Sequence, residues 1–198
     1  MSNERGATLI EVMGVIAILG ALVTGIWKLV NGAMYKYKLS EATVQIQSLA
    51  KNLSRFYAAI GNYDDLNESD TISKLFENLV VPREMRVGSS TIKHSFFGDV
   101  TLSGHGETFS IVFTKLPKNS CAELATLSWQ KTDRTNLVSI KIGSDLYEWP
   151  GALNVSTGEE EEGVAAAEKK VLPVSMGDAM ASCSVSDGDL NNIEWTFR

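Results

Sequence analysis

The sequence predicts an α+β fold: one long N-terminal helix packed on an antiparallel β-sheet, with short helices in the connections. Three observations carry this. Residues 7–27 are apolar apart from a single charge, Glu11. Helical periodicity then continues to about residue 60, and no proline occurs before Pro82. From about residue 97 the pattern changes to short runs rich in β-branched and aromatic residues, separated by glycines.

Composition bounds the function classes. A chain of 198 residues, 44% hydrophobic and 21% charged, is one or two folded domains and excludes collagen-like and low-complexity classes. A net charge of −6 and a pI near 5.0 argue against a nucleic-acid binder. A mean hydropathy of −0.02 excludes a multi-span membrane protein. The charge is uneven: residues 1–150 hold 15 acids and 15 bases, whereas residues 151–198 hold 9 and 3 and carry the whole imbalance.

The first element is the apolar helix. Over residues 7–27 it would span roughly 31 Å, close to a bilayer core of about 30 Å. A cleaved secretory signal fits poorly, because the start has one base, Arg5, and Lys28-Leu29-Val30 follows where small residues are needed. A plain membrane anchor accounts for the length and leaves Glu11 unexplained, since a charge in a membrane helix costs about 2.5–3.5 kcal/mol. Gly14, Gly20 and Gly25 lie in this half. They are open to two readings, close helix–helix approach in the membrane or local stretching of the helix.

The helix is expected to run nearly unbroken over residues 7–60. Ala42, Ile46, Leu49, Leu53, Phe56 and Ile60 repeat at 4-3-4-3-4 spacing and make one apolar stripe, with Val44 and Tyr57 among the same apolar set. Gly61-Asn62 reads as the stop. Residues 70–81 predict a short helix with Ile72, Leu75, Phe76 and Leu79 on one face, ended by Pro82. Strands are predicted at 100–102, 108–116, 137–142 and 193–197, with Gly98, Gly104, Gly106 and Gly143 as turns. Between the second and third strands, Ser120-Cys121-Ala122-Glu123 reads as a capping box opening a helix with Leu124 and Leu127 inward.

Gly6-Ala7-Thr8-Leu9-Ile10-Glu11 resembles the type IV prepilin cleavage signal. Phe97-Gly98-Asp99, the run at 109–116, the Cys121 helix and the final strand at 193–198 are similar to type IVb pilins, the bundle-forming and thin-pilus (PilS-type) subunits. The resemblance implies a type IV pilin fold and a division of the chain. Residues 1–6 would be a leader and 7–30 the hydrophobic transmembrane and assembly half of the helix. Residues 31–198 would be the headgroup, including the amphipathic half-helix 31–60 and a disulfide-bounded region 121–183.

The resemblance also implies roles. A prepilin peptidase would cut between Gly6 and Ala7, and the new amine of Ala7 would be N-methylated. Glu11, fifth in the mature chain, would neutralise the N-terminal amine of a neighbouring subunit; a buried carboxylate is tolerable when paired. Family members usually start on a bulky apolar residue; this chain has Ala7 there. Type IV pilins carry a disulfide near the C-terminus, and Cys121 and Cys183 are the two cysteines available for one.

The expected function is a structural subunit of a type IVb pilus, assembled into a helical filament for adhesion, aggregation or conjugative mating. The alternative is a minor pilin or a type II secretion pseudopilin; a membrane-anchored receptor-binding module is the reading from another class. No catalytic motif is found, so no enzyme, cofactor or metal site is expected; His94 and His105 are the two histidines, without ligand spacing. Expected partners are further copies of the chain, the prepilin peptidase, an assembly platform with its ATPase, a host or recipient-cell receptor and, before assembly, the inner membrane. The expected locations are the inner membrane with a periplasmic C-terminal domain, then an extracellular pilus. The acidic run Glu159-Glu160-Glu161-Glu162 reads as a solvated loop.

Overall fold

The computed structural model describes residues 4–129, 137–149, 170–183 and 191–198, with side chains from residue 10 onward. The acidic run at 159–162 lies outside the described residues. Contacts divide the chain into two units, Met1–Ser40 and Glu41–Arg198.

Helix α1 spans Glu4–Tyr57. From Ile10 to Met34 it presents apolar side chains outward, with Ile10 74% and Leu29 75% exposed; Tyr35 and Leu39 are half-buried. Its part in the second unit buries one face completely: Ala42, Ile46, Leu49, Ala50 and Leu53, with Gln45 and Tyr57 almost so. The stripe departs from expectation at its end. Phe56 and Ile60 are exposed, and Tyr57 takes the inward place. The helix stops at Tyr57, whose carbonyl accepts from both Ile60 N and Gly61 N at 2.9 Å. Gly61 adopts φ +70°, which reverses the chain. Tyr63 then returns to lie 5.2 Å from the Tyr57 ring, and Phe56 is left edge-on outside.

Helix α2 is Thr71–Glu77, shorter than expected. Leu79 sits at φ +57° in the left-handed turn that ends it, donating to Phe76 O, while Val80 N reaches Leu75 O. That turn throws Leu79 outward and Val80 and Val81 inward, so Leu79 does not join the helix face. A small hairpin of β1 (Arg86–Val87) and β2 (Thr91–Ile92) follows, which the sequence reading did not resolve.

The principal sheet has six strands. They are β3 (Val100–His105), β4 (Thr108–Leu116), β5 (Leu137–Ile142), β6 (Asp145–Glu148), β7 (Lys170–Val171) and β8 (Asn191–Phe197). Their spatial order is β3-β4-β8-β5-β6-β7. All pairs are antiparallel except β6 with β7, which is parallel. The last strand is therefore central. Register sets up inward rows across the sheet: Leu102, Ile111, Trp195, Ile140 and Tyr147 in one, Val100, Phe113, Ile193 and Ile142 in the next. These side chains are buried, as alternation along half-buried strands requires. Tyr63, 4.7 Å from Phe109, carries ring packing from α1 into the sheet.

Two glycines expected as turns have other reasons. Gly104 lies inside β3, where a Cβ would collide with the backbone of Tyr63. Gly98 closes a turn at normal φ, but a Cβ there would strike Thr114 O and His94. Gly106 and Gly143 do form the hairpin turns, at φ +58° and +59°. Helix α3 is Lys118–Ala125 and begins at Pro117 without a side-chain cap. Ser120 is buried inside it, its Oγ without a partner, so the expected capping box is not formed. Helix α4 is Met176–Ser182, capped by Ser175 Oγ accepting from Asp178 N.

Candidate functional site

The expected processing and assembly residues share one helix. Gly6, Ala7 and Glu11 all fall within the first two or so turns of α1. Glu11 is exposed, a lone carboxylate among Ile10, Val12 and Met13, which are exposed as well. Among the described residues α1 is the one helix long and apolar enough to cross a membrane; none of its most apolar window, of mean hydropathy 2.1, is buried. A helix apolar all round satisfies its own backbone, yet its side chains favour lipid or neighbouring helices over water.

The other expected pair is joined. Cys121 and Cys183 form a disulfide with their Cα atoms 6.0 Å apart, linking α3 to the end of α4. It closes a loop of 62 residues, worth about 4 kcal/mol in the chain-entropy picture. A polar cluster holds α4 from the other side. Ser182 Oγ donates to Asp145 Oδ2 at 2.5 Å, Lys170 Nζ lies 2.9 Å from the same oxygen, and Tyr147 OH is 2.7 Å from Ser182 Oγ. The Ser182 hydrogen bond, then Lys170, holds the Asp145 carboxyl below its usual range. Strands β6 and β7 and helix α4 are thereby tied together, a link that sequence reasoning missed. Two signals pointed to it: the Ser175-x-x-Asp178 cap, and the Gly143-Ser144 turn ahead of Asp145-Leu146-Tyr147-Glu148.

A third constellation lies where the turn 94–98 meets α1. Gln45 Oε1 accepts from Ser95 N at 3.0 Å. His94 is buried, with its ring stacked on Phe113 at 4.8 Å. Its Nε2 is 2.7 Å from Thr114 O, and its Nδ1 accepts from Phe96 N at 3.2 Å. Because Thr114 O can only accept, Nε2 carries the proton, and the neutral imidazole satisfies both neighbours. Burial is the largest influence and pulls the His94 pKa below the ordinary 6.5; the Thr114 bond and Asp99 oppose it. The turn presents Phe97, 70% exposed, at φ +66°.

A pocket of about 270 Å³ lies beside β5. Trp129 and Trp149 are among its walls, with Leu137 and Ile140 from β5 and Leu172 and Val174 after β7. Leu127, expected to face inward from α3, lies beyond that helix and lines this pocket.

Comparisons with known proteins agree with these features. The prokaryotic N-terminal methylation motif matches residues 1–27, and the family described as PilS N terminal matches residues 36–198. The toxin coregulated pilin of Vibrio cholerae is 26% identical over 188 residues, covering 88% of this chain and 79% of that protein. The type IVb pilin of Salmonella typhi has the same fold, with a TM-score of 0.52 at 16% identity over 82% of this chain and 97% of that one. An outward-facing apolar helix under a methylation motif and a disulfide-tied head matched along its whole length have one common reading: the chain belongs to the type IVb pilin family, whose members are structural pilus subunits and not enzymes.

Proposed function

We propose that this chain is the major subunit of a type IVb pilus, stored in the inner membrane with its head in the periplasm. A prepilin peptidase cuts between Gly6 and Ala7 on the cytoplasmic side, and the new amine of Ala7 is methylated. An assembly platform and its ATPase then draw the subunit into a helical extracellular filament. There α1 exchanges lipid for the helices of other copies, and Glu11 pairs with the N-terminal amine of a neighbour. The observation that carries this reading is the lone exposed carboxylate of Glu11 in an unburied apolar helix, under a methylation-motif match over residues 1–27. In lipid that carboxylate is costly; beside an ammonium it is stabilised and fixes axial register. Adhesion, aggregation or mating through a cell-surface receptor is the use such a filament would serve.

The test pairs two variants. Gly6→Val leaves full-length precursor in the inner membrane and no pili. Glu11→Ala is processed normally but yields few filaments by electron microscopy. Processed, abundant pili from Gly6→Val would refute the cleavage assignment, and wild-type pili from Glu11→Ala would refute the pairing role.

A further inference from the structure

Strand β3 is an outer strand of the principal sheet and pairs with β4 on one side. The other side of such a strand presents a row of main-chain N–H and C=O groups, a template for pairing with a further strand. Here the chain covers part of that row itself. Residues 62–67, which end in the 3₁₀ turn Asp64–Asn67, wrap the C-terminal end of β3. Asn67 Nδ2 donates to Gly104 O at 2.8 Å, and Gly104 N donates to Asn67 Oδ1 at 3.2 Å. One side-chain amide thus satisfies both main-chain groups of Gly104, as the peptide of a neighbouring strand would. At the adjoining turn, Tyr63 N donates to Gly106 O at 2.8 Å and Gly106 N donates to Asp64 Oδ1 at 2.7 Å.

Alternation fixes which way the rest of the strand faces. Gly104 directs its N–H and C=O away from β4, so Leu102 and Val100, two and four residues back, do the same. Glycine at 104 also lets the segment come close, because a Cβ there would overlap the Tyr63 carbonyl. The segment is held from within by Tyr63 and Leu66, both buried, with the Tyr63 ring between Tyr57 and Phe109. Asp64 and Asn67 are exposed residues and add nothing to that core. Their side chains turn back to the strand and occupy its outward-facing groups.

We propose that residues 62–67 are an edge guard, latched by the Asn67 amide, that keeps β3 from pairing with the β3 of a second copy. Two such edges laid antiparallel are self-complementary, since each offers the other the same groups. An unguarded edge would join head to head through their sheets wherever copies are crowded, in a membrane or along a filament. The guard leaves the apolar half of α1 as the surface that draws copies together. This inference does not depend on the pilus-subunit reading, and its failure would leave that reading untouched.

The test uses the full chain in detergent micelles. Hydrogen exchange of the peptide 100–107 is followed by mass spectrometry at two protein concentrations about a hundredfold apart. In the wild type this peptide should exchange slowly, and at the same rate at both concentrations. In the double variant Asp64→Ala with Asn67→Ala, the dilute protein should exchange there at least about tenfold faster. Protection should return in the concentrated sample as β3 edges pair. Gly104→Ala, which pushes the Tyr63 carbonyl away without altering the latch, should give the same two results. Peptides from β5 and β8 should keep wild-type protection, which separates opening of the edge from unfolding; the variants are independent, so one that unfolds leaves the other to decide. Wild-type protection in the dilute double variant would overturn the latch. Fast exchange at both concentrations would overturn the guard, because the edge would then have no tendency to pair.

Discussion

Two stretches of α1 share a backbone and have opposite surroundings. In residues 10–34 the apolar side chains are exposed on every side; in residues 41–57 one face, with Ala42, Ile46, Leu49, Leu53 and Tyr57, is buried, while Val44 and Phe56 stay exposed. Sequence composition alone separates them, because residues 10–27 have Glu11 as their one charge whereas the second stretch has Lys51, Asn52 and Arg55 to turn toward water. What the difference teaches is where each stretch draws its stability. The second belongs to a core that this chain supplies itself. The first has no such core, and its burial must come from lipid or from other copies.

The sharpest way to break this contrast is to attack the self-supplied core at its covalent tie. Replacing both cysteines, Cys121→Ser with Cys183→Ser, should cost the head about 4 kcal/mol and reduce subunit levels. A chemical melt of the purified protein checks it, and an unchanged midpoint would mean the bond contributes little.

An effect of similar size compares the two stretches directly. Leu49→Ala, at a fully buried site, should destabilise the head by about 2–5 kcal/mol. Leu19→Ala, on the exposed stretch, should leave the same melt within about 0.5 kcal/mol of wild type. Equal losses at both positions would contradict the division.

The smallest effect is a pH dependence from His94. Its folded pKa is depressed below 6.5, so between that value and 6.5 the unfolded chain binds the proton first. Its contribution is therefore complete above about pH 6.5 and is lost as pH falls below it, levelling off under the folded pKa. A proton added at Nδ1 would also face the Phe96 N–H that now donates to it. The melting temperature should fall between pH 7.5 and 5.5, and His94→Gln should flatten that slope. An unchanged slope in the variant would assign the dependence to another group.

Much of this was legible in the sequence, for identifiable reasons. Long periodic segments announce themselves, and α1, the strands around Phe109, Ile140 and Trp195, and the cysteine pair were each readable from pattern or resemblance. The misreadings occurred where tertiary contact overrides local pattern. Phe56 fits the helical spacing better than Tyr57 does, but Tyr63 returns to meet Tyr57. Leu79 continues the periodicity of α2, but the helix ends in a left-handed turn before reaching it. Gly104 looks like turn punctuation, yet it marks the close approach of the Tyr63 backbone to a strand. Strands as short as β1, β2 and β7 carry too few residues to show any period. Within the candidate site, Gly6, Ala7, Glu11 and the cysteines have local signatures. The Phe97 turn and the indole pocket arise only when distant segments meet.

The most direct test of the central claim is the intact mass of the chain isolated from its native cell envelope. The expected mass shows loss of residues 1–6, a gain of about 14 Da for one methyl group and a loss of about 2 Da for one disulfide. A full-length mass would contradict it, leaving an anchored protein whose Glu11 has no partner. A mass lacking the whole apolar stretch would contradict it more deeply, because the helix said to need other copies would not be part of the mature protein.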